Sequence, residues 1–193
     1  MTDGAAGTRT AIMEATFEAL SKHGYADLTI QTIADEFDKS KSLLYYHYET
    51  KDALLVDFLD FVLEEFTAEV ETEGEDDPLD RLWTVVELLL PPDIHGDEEA
   101  RQLRTALLEL RMQAPYDDDY ADRFEDVDAM LAATFEAILA EGVEDGTFDV
   151  DPSMAARLLT DAVTGATLRT ITGDTTGRAA LEPVEALVEY FRP

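Results

Sequence analysis

Lys41, Ser42, Tyr45, Tyr46 and His47 bring an ammonium, hydroxyls and an imidazole onto one short stretch of this chain. These groups donate hydrogen bonds to anionic oxygens and to base edges, which is the chemistry of contact with a nucleic acid. The flanking residues say what would hold them. Thr29 can cap a short helix whose inner face is Ile30, Ile33, Ala34 and Phe37. Asp38 and Lys39 make a tight turn. Ser40 can cap a second short helix from Lys41 to Tyr48, and Thr50 a third that begins at Lys51. Serine and threonine suit such points because their oxygens accept from the free N–H groups of a first helical turn. The second helix is short, polar on one face and aromatic near its end, as an element that enters a major groove must be. Leu43, Leu44 and Tyr48 fill its buried face. Tyr46 and His47 are left with no structural task, and Tyr45 either packs or joins them.

The stretch resembles the TetR family of transcriptional regulators. The likeness starts at Thr10-Ala-Ile-Met-Glu-Ala-Thr-Phe-Glu-Ala-Leu-Ser-Lys-His-Gly24-Tyr25, which looks like the family's first helix. It continues through Leu28-Thr29-Ile30 and the run Ser40-Lys41-Ser42-Leu43-Leu44-Tyr45-Tyr46-His47-Tyr48, and ends at Lys51 and Leu54. Beyond about residue 55 only the helical architecture matches. The resemblance implies that Tyr45, Tyr46, His47 and Lys51 reach phosphates and that Lys41 and Ser42 enter the groove. Thr29, Gln31 and Thr32, at the front of the preceding helix, hold a phosphate, and Lys39 and Ser40 complete the set. Two positions depart from the pattern. Asp38 stands where the turn usually has glycine, so Asp38 is expected to take a positive φ, which Asp tolerates better than most residues. Ser42 stands where a small glycine is common, and its hydroxymethyl group either still permits close approach or adds a phosphate or base contact.

Charge sets a condition on this reading. The net charge is −30, whereas a DNA-binding domain is ordinarily basic. The distribution is uneven. Residues 1–54 carry Arg9, Lys22, Lys39, Lys41 and Lys51 against nine acids, and residues 55–193 carry nine arginines against 35 acids. The least acidic part is therefore the part proposed to face DNA. The remainder reads as a solvated acidic shell, the composition expected of a halophilic protein from a cytoplasm of very high salt, where screening removes most self-repulsion.

The rest of the chain is helical in period. Leu55, Leu59, Val62, Phe66 and Val70 share one face. Loops are expected at 71–78 and 93–97, and helices over about 79–90, 98–113, 118–144 and 152–172. Gly142 and Gly146 mark a frayed helix end, and Asp151-Pro152 is a helix start. A last helix carries Leu181, Val184, Val188 and Phe191. The fold class is all-α: a three-helix unit over 1–50 that binds DNA, and a bundle of about six helices over 51–193 for effector binding and dimerisation. Phe58, Phe61, Trp83, Arg104, Arg111, Met112, Tyr120 and Phe124 are candidates to line an effector site. Ala162, Gly165 and Ala166, with Leu181, Val184, Val188 and Phe191, are candidates for a two-fold contact.

Other classes lack support. No cysteine is present, so thiolate chemistry and thiolate metal sites are excluded. No serine sits in a nucleophile elbow. His95 lies among acids but lacks a second histidine, and His23 suits a helix C-terminus; no metal and no cofactor are expected. No apolar run is long enough to span a bilayer, and the N-terminus lacks the layout of a signal peptide, so a soluble cytoplasmic protein is expected. The function implied is a homodimeric repressor that binds a double-stranded operator and is released by a small molecule. The alternative is a helical sensing or protein-interaction module that kept the fold and lost DNA binding.

Overall fold

The computed structural model describes residues 3–38, 40–72, 77–91, 98–173 and 176–193. Lys39, His95 and much of the segments expected as loops, residues 73–76 and 92–97, lie outside them. Among the described residues the regular elements are helices: α1 Asp3–His23, α2 Ile30–Glu36, α3 Lys41–His47, α4 Lys51–Thr72, α5 Pro78–Leu89, α6 Glu98–Arg111, α7 Asp118–Asp145, α8 Pro152–Thr172 and α9 Gly177–Tyr190. A 3-10 turn, Ala114–Tyr116, follows α6. The all-α expectation holds among these residues, with three N-terminal helices followed by six.

Helix ends follow from local chemistry. Gly24 takes φ 69°, and its N–H bonds the carbonyl of Leu20 at 2.9 Å, closing α1. The Asp77 carboxylate accepts from the Leu79 N–H at 2.9 Å, with Pro78 as the first helical residue of α5. The Asp151 carboxylate accepts from the Met154 N–H at 2.8 Å, ahead of which Pro152 opens α8 as its sequence suggests.

The chain packs as two compact units, Met1–Glu65 with Glu98–Arg123, and Phe66–Asp97 with Phe124–Pro193. Both boundaries fall inside long helices, α4 and α7. Packing therefore groups α6 with the N-terminal helices, whereas the division at residue 50 is one of proposed role. In the first unit α1 packs on α2 and α6, and α2 on α3. Its buried side chains include Ile12, Leu20, Ile33, Leu44, Leu55 and Phe58. In the second unit α8 packs on α9 and α5, around a core that holds Val86, Phe135, Leu159, Ala166, Val184 and Phe191.

The end of α7 is not frayed. Gly142 is a helical residue, and Gly146, at φ 86°, ends the helix so that the Phe148 N–H turns back to the Gly142 carbonyl at 2.9 Å. The Phe148 ring then lies on the α-carbon of Gly142, where an added Cβ would overlap ring atoms Cδ2 and Cε2. A glycine in mid-helix costs about 1 kcal/mol against alanine. Here the ring is buried and its backbone is tied to the same residue, so it has little room to yield. Overpacking of this kind costs about 1–3 kcal/mol and outweighs the gain in helix propensity. Gly142→Ala is expected to lower the thermal midpoint, and a scanning-calorimetry midpoint equal to or above the parent's would contradict this packing.

Among the described residues no helix is long and apolar enough to cross a membrane.

Candidate nucleic-acid interface

The corner that presents α3 is built by Thr29 and Thr32. The Thr29 hydroxyl accepts from the Thr32 N–H at 3.0 Å, and the Thr32 hydroxyl accepts from the Thr29 N–H at 2.9 Å. This reciprocal cap satisfies two donors at the front of α2. Ile33 and Ala34 bury the inner face of α2, while Gln31 stays exposed and donates to the Asp35 carboxylate at 2.9 Å.

The turn differs from expectation. Among the described residues no residue other than glycine has positive φ, so Asp38 is not left-handed. The chain leaves α2 through Phe37 in extended conformation, φ −87° and ψ 112°, and enters α3 through Ser40, also extended. Phe37 is buried, and the extended backbone is what carries its side chain into the core instead of onward around the helix. The case for glycine at 38 therefore falls. Ser40 also departs from its expected role. Its hydroxyl makes no capping bond and instead shares a 2.7 Å hydrogen bond with the Ser42 hydroxyl. Thr50 does cap α4, accepting from the Ala53 N–H at 3.1 Å.

A seven-residue helix does not persist in water by itself. Burial of Leu44, with no exposed surface, anchors α3, worth about 1.5–3 kcal/mol for a leucine. The opposite face is open. Tyr46 is 83% exposed and Tyr45 49%, and His47 is exposed with its ring edge-to-face against Tyr46 at 5.6 Å. Lys41 is ion-paired with Asp35. The Lys51 ammonium lies 4.3 Å from the centroid of the Tyr25 ring, a cation–π contact.

Sequence reasoning missed the tie that fixes the exit of α3. The Tyr48 hydroxyl donates to the Asp57 carboxylate, which also receives the Arg9 guanidinium at 2.8 Å; Arg9 reaches Glu64 at 2.8 Å as well. Burial pushes the Asp57 carboxyl up, but the Arg9 and Tyr48 hydrogen bonds outweigh it and hold it below the usual carboxylate value. Burial, then the bond to Asp57, push the Tyr48 hydroxyl up. Asp57, Asp60 and Glu64 recur at i, i+3 and i+7, a stripe of carboxylates along one face of α4 that calls for cations from elsewhere in the chain, and this was the available signal.

The candidate effector residues fall in both compact units. Phe58, Phe61, Arg104, Arg111, Met112 and Tyr120 belong to the first unit, Trp83 and Phe124 to the second. Phe58 and Tyr120 fill the core, and the Tyr120 hydroxyl donates to Asp52 at 3.0 Å. Arg104 donates to the Ala100 carbonyl at 3.3 Å. Met112 faces solvent. Trp83 is half-buried against the second core and also lines an open groove with Glu182, Glu185 and Glu189. Among the described residues no group of three potential metal ligands occurs.

The candidate contact residues for a two-fold partner need correction. Ala166, Leu181, Val184, Val188 and Phe191 are buried in the core of their own chain. Of that set only Ala162 and Gly165 are half-exposed. The apolar side chains that α8 turns outward are Met154, Leu158 and Leu168, and α9 exposes Pro183, Ala186 and Tyr190.

Two short helices at a fixed corner, with an open polar and aromatic face on the second, define a helix-turn-helix protein. The model of bacterial regulatory proteins of the tetR family matches residues 12–58, and that of the C-terminal part of BetI-type transcriptional repressors matches residues 78–191. A TetR transcription regulator from Haloarcula marismortui is 35% identical, with 96% of this chain and 98% of that one covered and a TM-score of 0.84. A transcriptional regulator from Saccharomonospora viridis, solved in complex with choline, is 21% identical over 96% of this chain and 97% of that one, with a TM-score of 0.80. One from Rhodococcus sp. Rha1 is 17% identical over 95% of each chain, with a TM-score of 0.77. No curated protein matches. The chain belongs to the TetR family of transcriptional regulators, a family of regulators and not of enzymes.

Proposed function

We propose that this chain is a homodimeric repressor that binds a double-stranded operator through α2 and α3 and is released by a small-molecule effector. The observation that carries the DNA reading is the position of Tyr46 and His47. Both stand exposed on α3 while Leu44 holds the other face in the core, so neither contributes to the fold. A module that had lost DNA binding would have no use for them. Gln31, Lys41, Ser42 and Tyr45 are also exposed on the same two helices. Thr29 and Thr32 act by fixing the corner, and Lys51 sits at the start of α4, next to α3. An effector releases DNA only if it prefers one of two states of the protein. The starts of α4 and α7, joined by the Asp52–Tyr120 bond, put such a state change within reach of α3.

Dimerisation rests on the outward faces of α8 and α9. Met154, Leu158 and Leu168 recur on one helical face, with Ala162 and Gly165 allowing close approach between them. Tyr190 is 82% exposed on α9. Apolar surface of this extent is ordinarily covered, and a two-fold contact covers it with itself. In KCl at about 1 M, where charges are screened within a few Å, the parent is expected to have the mass of a dimer and to protect a palindromic site selected from genomic fragments. Leu158→Glu is expected to run as a helical monomer that binds DNA poorly. A monomeric parent by light scattering would overturn the dimer, and failure to enrich any DNA would favour the sensing module.

A further inference from the structure

The Asp35 carboxylate sits between α2 and α3 and binds two of the groups assigned to DNA. One oxygen, Oδ1, accepts from the Gln31 amide at 2.9 Å and from the Lys41 ammonium. Lys41 is the first residue of α3, and Gln31 lies one turn before Asp35 on the exposed face of α2. Both partners of the ion pair are open to solvent, Lys41 at 49% and Asp35 at 55% side-chain exposure, so an approaching phosphate reaches the ammonium without unpacking the fold. The Lys41 hydrogen bond holds the Asp35 carboxyl below its usual value, so it is a full anion at neutral pH. The other described cations of this region are engaged elsewhere: Arg9 with Asp57 and Glu64, Lys22 with Glu18 and Glu36, and Lys51 on the Tyr25 ring.

We propose that Asp35 is a resident stand-in for a DNA phosphate, which holds Lys41 and Gln31 in place until the duplex displaces it. This inference rests on the DNA-binding reading above and names how its cation contact works. A free lysine that meets a phosphate releases a condensed counterion, and affinity falls as salt rises, with a slope of about −0.9 in log K against log salt per contact. Here the ammonium leaves one anion for another. The phosphate gives up a cation, and the freed Asp35 gains one from solution. The two ion transfers oppose each other, so the contact forms by exchange with little net release of salt. High KCl competes with both anions alike and leaves the balance between them nearly unchanged. Asp35 is thus a positioning residue that exchanges raw affinity at low salt for binding that persists at high salt.

The test measures the slope of log K against log KCl by fluorescence anisotropy, on a labelled duplex carrying the sequence that the parent enriches from random DNA. Asp35→Asn is expected to bind more tightly than the parent at the low end of the folded range and to steepen the slope by about 0.9 per DNA-binding unit, the value of one released counterion. The double variant Asp35→Asn/Lys41→Ala should return to the parent's slope. Glu49→Gln, which removes one exposed charge that does not touch Lys41, should keep it. A parent-like slope for Asp35→Asn overturns the proposal, as does equal steepening in Glu49→Gln or in the double variant. Tyr46→Ala on the same duplex separates the two levels. Lost binding there with an unmoved Asp35→Asn slope places the failure at Asp35, and undiminished binding there removes the DNA reading itself.

Discussion

Replacing Tyr46 by alanine is expected to abolish operator binding and to leave helix content, thermal midpoint and dimer mass at the parent's values. The ring is 83% exposed and meets the edge of His47. Its removal opens no cavity, so the fold has no reason to weaken. Under the proposed DNA reading, the variant lacks the hydroxyl expected to donate to a phosphate and the ring expected to pack along the sugar–phosphate backbone. A hydrogen bond to a charged group is worth about 1.5–3 kcal/mol. A two-fold dimer loses it twice, which corresponds to a fall of roughly 10²- to 10⁴-fold in affinity at constant salt. Leu44→Ala provides the contrast. It removes a fully buried side chain from the same helix and is expected to cost about 2–5 kcal/mol of stability, so that DNA binding and folding fall together. Anisotropy and circular dichroism on the two variants separate contact from scaffold. Parent-like affinity in Tyr46→Ala would remove α3 as the recognition element.

The second large effect is expected from salt acting on the fold. With 44 acids against 14 basic residues, the folded chain concentrates negative charge that the unfolded chain spreads out. The described ion pairs offset this only locally. Most are exposed, as for Lys22 with Glu18 and Arg101 with Glu98, and exposed pairs contribute little. The Debye length shortens from about 10 Å at 0.1 M to about 3 Å at 1 M salt. Charges on neighbouring helices therefore repel one another at low salt and are nearly independent at high salt. Helicity is expected to fall as KCl is reduced below about 1 M, with recovery when salt is restored. The urea midpoint should rise steadily with KCl across that range. The second unit carries the greater excess of acids and should lose protection first in hydrogen exchange. A chain that stays fully helical at about 0.1 M KCl, with the same urea midpoint as at 1 M, would show that the acidic shell has no bearing on stability.

The sequence by itself determined the helices and most of their capped ends, Ser40 at the start of α3 and the end of α7 excepted. Thr29, Thr50, Asp151 with Pro152, and Gly24 act within a turn of their own position, and local hydrogen bonding needs nothing from the rest of the chain. It also determined which side of α3 is free, because a seven-residue helix has one buried face and Leu44 takes it. Charge segregation, and with it the expected dependence on salt, is a property of composition. Tertiary structure decided what depends on residues far apart in sequence. The backbone at Asp38 is set by the need to bury Phe37. Asp57 is held by Arg9 from α1 and Tyr48 from the end of α3, a tie no local pattern contains. Gly142 is required by Phe148 folding back across it. On α8 and α9 the apolar residues surround the helix widely enough to supply two faces, and periodicity alone does not say which faces inward. Packing against α5 and α7 drew Ala166, Val184 and Phe191 into the core and left Met154, Leu158 and Tyr190 outside, because burial is a property of neighbours and not of the helix that carries the residue.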